Sequence, residues 1–260
     1  MKIFINTDTY TDIAQSTKEE LIKLSEKYNI EIVEDSSSCD VIFSIGGDGT
    51  FLETARLSNQ KPIIGINTGT LGYLTEINPN DIEKALKDII NHDYYIEDRM
   101  MIEGEIIKPT GEVIKIPESL NEIAISKNIF GVVRFDATVN GKLINSYTAD
   151  GILVCTPTGS TAYNLSCSGP IVDPTAEIIT LTPIAPHTII NRSIILSDES
   201  VVELKITELR ENTQSYVLYD GKEIEVFSAD TIKIKKSNKI TKIIKLENRS
   251  FIDTIRETIN

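Results

Sequence analysis

The first ninety residues alternate between short apolar runs and longer amphipathic ones. Residues 2–5, 30–33, 41–45 and 62–66 are brief, rich in Ile, Val and Phe, and bounded by polar or turn-forming residues, which predicts strands. Residues 18–28, 51–57 and 82–90 repeat apolar positions three and four apart, which predicts helices. Apolar strands separated by helices imply a sheet covered on both faces, so this half reads as a doubly wound α/β domain. From Arg99 the texture changes to short alternating segments broken by Pro109-Thr110-Gly111, Asn140-Gly141 and Asp220-Gly221. The last two dipeptides signal hairpins, because both central positions of such a turn need φ > 0. They predict that 135–139 pairs with 143–147 and 216–219 with 223–226. Residues 251–259 return to helical spacing. The expected organisation is an N-terminal α/β domain (1–97, with 245–260 packing back on it) followed by a β-rich C-terminal domain (98–244). The functional site is expected in the cleft between them.

Two domains suit 260 residues, a length above the roughly 100 to 200 of a typical domain. There is no run of about 18 apolar residues that could span a bilayer. The N-terminus turns polar from Asn6 onward, without the pattern of a signal peptide, so a cytoplasmic location is expected. Cys39, Cys155 and Cys167 form no Cys-x-x-Cys pair, which favours reduced thiols over a disulfide framework or a zinc cage. With 39 acidic and 26 basic residues the formal charge is −13, a field that opposes nucleic acid and acidic membrane surfaces. Lys233, Lys235 and Lys236 fall at mostly alternating strand positions and read as a solvated face. A phosphorylated small molecule is not excluded, because the amides of a glycine-rich turn supply positive potential whatever the net charge.

Two segments carry candidate chemistry. In Ile42-Phe43-Ser44-Ile45-Gly46-Gly47-Asp48-Gly49-Thr50-Phe51-Leu52 a buried strand runs into three glycines around one aspartate and then into a helix. That sets backbone amides and a helix N-terminus beside a carboxylate, an arrangement suited to a phosphate and an attacking hydroxyl. Thr50 is a candidate cap for the helix. The same letters also suit a plain strand-to-helix turn with glycines at φ > 0 and Asp48 as a turn residue. The second segment runs from Asp150 to Ser166, where an apolar strand empties into a turn dense in hydroxyl groups and glycine (Thr156-Pro157-Thr158-Gly159-Ser160-Thr161-Ala162-Tyr163). Such a turn offers many small donors and acceptors to a sugar or phosphate; equally, Ser160 and Thr161 could be helix caps and Tyr163 a core residue. Neither the Walker pattern nor Gly-x-Gly-x-x-Gly occurs. Ser160 lacks the Gly-x-Ser-x-Gly elbow of a serine hydrolase, and two histidines, His92 and His187, are too few to suggest a zinc enzyme.

Taken in order, these segments resemble the NAD kinase family. Gly46 to Thr50 is similar to its signature, Gly65-Ile66-Asn67 with Leu71-Gly72-Tyr73-Leu74 to the next motif, and Asn121-Glu122 to the pair that follows. Thr156 to Tyr163 matches the most diagnostic run almost letter for letter, and Gly169-Pro170-Ile171 and Thr182-Pro183-Ile184-Ala185-Pro186-His187 also fit. The first motif alone is shared with 6-phosphofructokinases and diacylglycerol-type lipid kinases. The resemblance implies phosphorylation of the 2′-hydroxyl on the adenosine ribose of NAD by ATP, with Mg²⁺ on the donor phosphates and unnamed metal ligands, in a homodimer or homotetramer. It implies Asp48 as catalytic base, Gly49 against the dinucleotide phosphates, Asn121 and Glu122 on ribose hydroxyls, and Asp150 at the nicotinamide end. Thr158, Thr161, Ala162, Tyr163, Asn164, Leu165, Ser166 and Ala185 would line the rest of the dinucleotide site. Three positions depart from the pattern: Thr148 replaces a frequent Arg or Lys, Ser168 the first of two glycines, and Lys222 a common glutamine. Other readings are a lipid or sugar kinase sharing the first motif, or a non-catalytic NAD sensor.

Overall fold

The structure, a computed structural model, describes residues 1–69, 72–75, 77–128, 131–188, 191–209, 213–246 and 250–258. The chain divides into two compact units, one made of Met1–Arg99 with Ile240–Asn260 and the other of Met100–Lys239.

In the first unit β1 (Lys2–Thr7), α1 (Asp12–Lys27), β2 (Glu31–Ile32), β3 (Val41–Gly46), α2 (Asp48–Leu57), β4 (Ile63–Asn67) and α3 (Ile82–Ile90) follow in order. The strands pair in parallel as β2-β1-β3-β4. All six residues of β3 are buried, as a central parallel strand requires when both its faces are covered. Ala14, Leu21 and Leu24 of α1 share one helical stripe and join Phe43, Ile64, Leu86 and Ile89 in the core. α1 starts well before residue 18, where the apolar pattern begins, because Thr11 accepts the N–H of Ala14 and caps the helix. Conversely, β2 is only two residues long.

β5 (Tyr95–Ile107) leads into the second unit. β6 (Val113–Ser119), β7 (Glu122–Lys127), β8 (Val133–Val139), β9 (Lys142–Ala149), β10 (Gly151–Cys155), the short helix α4 (Tyr163–Ser166), β11 (Ile178–Ile184) and β12 (Ile194–Ser197) come next. β13 (Val202–Leu209), β14 (Ser215–Tyr219), β15 (Lys222–Val226) and β16 (Thr231–Lys245) precede a last helix, α5 (Phe251–Thr258). One antiparallel sheet runs β12-β11-β10-β7-β14-β15. A second set of antiparallel ladders runs β16-β13-β8-β9, with β5 against β6. Phe135, Ile152, Val154, Leu181, Leu204 and Val217 from both sets form the core. The two predicted hairpins form: φ is 50° and 75° at Asn140 and Gly141, and 42° and 76° at Asp220 and Gly221, the dihedral signs that match strand twist.

The end of β16 belongs to the first unit again. Ile243 pairs in parallel with Ile63 of β4, and Ile244 enters that unit's core. Ile259, at the end of the predicted last helix, lies outside the described residues. Among the described residues no helix is long and apolar enough to cross a membrane.

Candidate active site

β3 passes into α2 with no intervening loop. Gly46 closes the strand, Gly47 is the helix N-cap and Asp48 the first helical residue. Thr50 therefore lies inside the first turn and does not cap it; the cap position has no side chain to offer. The Thr50 side chain instead fills the space beside Gly46, where a Cβ would come within 2.3 Å of Thr50 Oγ1. Gly46, Gly47 and Gly49 all avoid positive φ, so dihedral freedom is not why glycine stands there. A Cβ at Gly47 or Gly49 would meet nothing within 4 Å. Open space beside the N–H groups of a helix N-terminus suits an anionic group.

The Asp48 carboxylate is held by the segment after β4. Oδ2 accepts the N–H of Tyr73 at 2.9 Å, and Oδ1 accepts the N–H of Leu74 at 3.1 Å and the Thr75 hydroxyl at 3.4 Å. Gly72 makes the approach possible, since a Cβ there would stand 2.2 Å from Asp48 Oδ1. Gly65 does the same on β4, where a Cβ would lie 2.9 Å from Leu74 O. The second sequence motif is thus the support of the first. Its Leu71 lies outside the described residues. A carboxylate offers about four acceptor positions, so Asp48 is oriented without being saturated.

In the second unit the start of β7 is pinned through its backbone. Thr156 Oγ1 donates to Leu120 O at 2.5 Å and Thr156 N–H to Asn121 O at 2.9 Å. From the other side the Asp220 carboxylate accepts the N–H groups of Leu120 (2.7 Å), Asn121 (2.9 Å) and Glu122 (3.4 Å). Gly159 packs onto the same peptide, where a Cβ would stand 2.2 Å from Asn121 O. The side chains have no such company: Asn121 Oδ1 and Glu122 Oε2 are buried without a hydrogen-bond partner. Burial, with the Asp220 carboxylate adding to it, pushes the Glu122 carboxyl up to about 8.

Residues 156–170 form a compact turn. Thr158 and Ser160 are buried, and Ser160 Oγ bridges to Val172, accepting its N–H at 3.0 Å. Asn164 is fully buried, donating its amide to Ser160 O and Pro170 O and accepting the Thr182 hydroxyl at 2.7 Å. Its polar groups are spent on the shape of the turn. Thr161, Ala162 and Tyr163 are half-buried, whereas Leu165 and Ser166 are exposed. Burial raises the Tyr163 and Cys167 groups above their ordinary values. Ser168, one of the three departures from the resembled pattern, has φ 60°, the left-handed region that glycine enters freely. Ala185, just past β11, is exposed and also left-handed at φ 43°.

Asp150 sits between β9 and β10 and pairs with Lys127, Nζ to Oδ1 at 2.9 Å. Thr148 faces Arg134 across the β8–β9 ladder, and Arg134 is engaged with Glu208. Although position 148 carries no charge, a cation still reaches Asp150 from β7. Lys127 and the holding role of Asp220 are absent from the sequence reading. Asp220 was visible there only as half of a turn, and nothing in the spacing links Lys127 to Asp150. Lys222 is exposed. Among the described residues no three His, Cys, Asp or Glu side chains gather as a group that could hold a metal ion.

Residues 4–94 match the family model described as ATP-NAD kinase N-terminal domain, and residues 120–246 the one described as ATP-NAD kinase C-terminal domain. An NAD kinase of Caldanaerobacter subterraneus subsp. tengcongensis is 42% identical over 238 residues, covering 90% of this chain and 83% of the relative. Among solved structures, an NAD kinase from Archaeoglobus fulgidus in complex with ATP superposes with a TM-score of 0.80 at 27% identity, over 98% of each chain. Yeast NADH kinase complexed with NADH has a TM-score of 0.89 at 21% identity over 100% of this chain and 87% of the other, a likeness of fold.

Proposed function

The chain belongs to the NAD kinase family and is an ATP-dependent phosphotransferase acting on NAD; we infer that it delivers the γ-phosphoryl group to the 2′-hydroxyl of the adenosine ribose, with Asp48 as general base. The observation that carries this reading is the pair of partnerless polar atoms at the start of β7, Asn121 Oδ1 and Glu122 Oε2. Buried polar groups are nearly always hydrogen-bonded, so a ligand rich in hydroxyls answers the need. Vicinal ribose hydroxyls, which both donate and accept, are such a ligand. The open side of Gly49 supports a place for the dinucleotide phosphates. Asp150 is assigned the nicotinamide end, and Thr158, Thr161, Ala162, Tyr163, Leu165, Ser166 and Ala185 the lining, with Asn164 holding their turn in shape.

Chemically, Asp48 takes the proton as the 2′-oxygen attacks the γ-phosphorus of ATP and the bond from that phosphorus to the β,γ-bridging oxygen breaks, releasing ADP. Its grip on the amides of Tyr73 and Leu74 fixes the direction in which that proton must travel. Positioning and charge stabilisation dominate phosphoryl transfer, and the amides at the start of α2 are suited to the moving charge. A Mg²⁺ ion bound with ATP would neutralise phosphate charge. The absence of a protein cage among the described residues fits an ion carried mainly by the phosphates, with no more than one or two carboxylates. Three free cysteines support a reducing, cytoplasmic setting. Exposed Leu143, Ile144 and Ile195 on β9 and β12 support self-association as a dimer or tetramer.

The test is direct. Incubation with NAD, ATP and Mg²⁺ yields NADP, read with an NADP-specific dehydrogenase, and Asp48→Asn lowers kcat by at least about 10²-fold, the lower end for a lost general base. No NADP from the wild-type protein, or near-normal turnover by a folded Asp48→Asn, would overturn the reading.

A further inference from the structure

The carbonyls of Leu120 and Asn121 and the N–H groups of residues 120–122 are held by two partners of different origin, Thr156 as donor and Asp220 as acceptor. The carbonyls of Leu120 and Asn121 are bound by Thr156, part of the recognised hydroxyl-rich turn. The N–H groups of Leu120, Asn121 and Glu122 converge on one side chain, Asp220, which lies about a hundred residues away and is only 5% exposed. The β7–β14 ladder ends at Tyr219 opposite Ile123. Beyond that rung the Asp220 carboxylate takes the place of a further strand, at the head of a turn whose φ of 42° and 76° aims it back at β7. The consequence is selective. These backbone groups are satisfied, while Asn121 Oδ1 and Glu122 Oε2 keep no protein partner.

We propose that Asp220 is the positioning residue of the acceptor site: by clamping the backbone of 120–122 it presents the Asn121 and Glu122 side chains, unpaired and pre-oriented, to the hydroxyls of the dinucleotide's ribose. This rests on the reading of Asn121 and Glu122 as ribose ligands. It adds a residue that touches no substrate and acts through two that do. Preorganised polar groups of this kind lower the cost of ordering on binding. The loss therefore falls on acceptor affinity, leaving the phosphoryl donor and the chemical step alone.

The same proximity of Asp220 to Glu122 gives a second readout. The titratable groups that face Glu122 are Asp220 from the turn, Cys155 from β10 and Cys167 after α4. Of these, Asp220 is the one whose charge opposes ionisation of Glu122. Replacing it with a neutral isostere moves the Glu122 transition to lower pH.

The experiment is steady-state kinetics of Asp220→Asn against wild type and Glu122→Gln, with NAD and ATP varied separately from pH 6 to 9. The expected result is a KM for NAD raised about tenfold, with kcat and the KM for ATP held within about threefold, the pattern of lost uniform binding. The pH at which KM for NAD changes, near 8 in the wild type, moves down. A folded Asp220→Asn with unchanged KM for NAD and an unmoved pH profile, beside a raised KM in Glu122→Gln, overturns the positioning role and leaves the ribose site standing. Unchanged KM in both variants overturns the ribose site itself, and the inference with it. If Asp220→Asn does not fold, Asp220→Glu, which keeps the charge and displaces it by one methylene, takes its place. A raised KM for NAD supports the proposal and an unchanged one overturns it.

Discussion

Gly72 and Asp48 are so close that a methyl group on the glycine would stand 2.2 Å from the carboxylate's Oδ1. No flexible side chain separates them, and the carboxylate is already anchored to the next two amides. Gly72→Ala must therefore push Asp48 off its amide bonds or open the turn. Displacements near 1 Å at a reacting group cost up to about 10² in rate. We expect Gly72→Ala to lose at least tenfold in kcat, by the same principle, with circular dichroism unchanged. A variant at wild-type kcat would show that the Asp48 orientation does not govern the chemistry.

Glu122 sets a pH dependence on the stability of the free protein. The folded chain retains its proton up to about pH 8, whereas the ordinary value is 4.5. Between those values the folded state binds more protons than the unfolded one, so stability falls as pH rises through the window and levels off above it. Urea unfolding from pH 5 to 9 checks this. Glu122→Gln, which cannot ionise, removes that part of the slope, and an identical slope in the variant would contradict the assignment.

Gly159→Ala puts a Cβ within 2.2 Å of Asn121 O, a backbone atom that cannot swing away. Overpacking of this kind costs about 1–3 kcal/mol. Denaturant midpoints should report that loss, and the KM for NAD should rise because the displaced peptide is the one that carries Asn121.

The Lys127–Asp150 pair, with side chains 20% and 35% exposed, behaves as a partly screened ion pair. Lys127→Met should cost no more than about 1 kcal/mol in unfolding experiments. Asp150→Asn should raise the KM for NAD while kcat is retained. Unaltered KM in Asp150→Asn would remove Asp150 from the dinucleotide site.

What could be read from the letters alone was whatever rests on local chemistry. Asn140-Gly141 and Asp220-Gly221 announce their turns because few other residues tolerate those dihedral angles, and the strand-glycine-helix passage at Gly46 is visible in residue types. Contacts between distant residues leave no such trace. Asp220 reaches Asn121 across 99 positions, and Lys127 reaches Asp150 only because β7 and β10 are neighbours in one sheet. The glycines of the first motif were legible as room for a ligand to approach the main chain, which the open space at Gly47 and Gly49 matches, whereas the need for glycine at Gly46 to make space for Thr50 was not. Thr11 as the true start of α1 was hidden because a cap contributes nothing to an apolar repeat.

Ile63 and Ile243, paired in the first unit's sheet, are 180 positions apart. During synthesis, at about 5–20 residues per second, β4 waits about 10–40 seconds for that neighbour. Through this interval its outer edge is an unpaired template for stray strands. Meanwhile Met100–Lys239, whose contacts are contained within one continuous stretch, can complete its folding. The unit that begins the chain is thus the last to close, and until Ile243 arrives it stays an aggregation hazard.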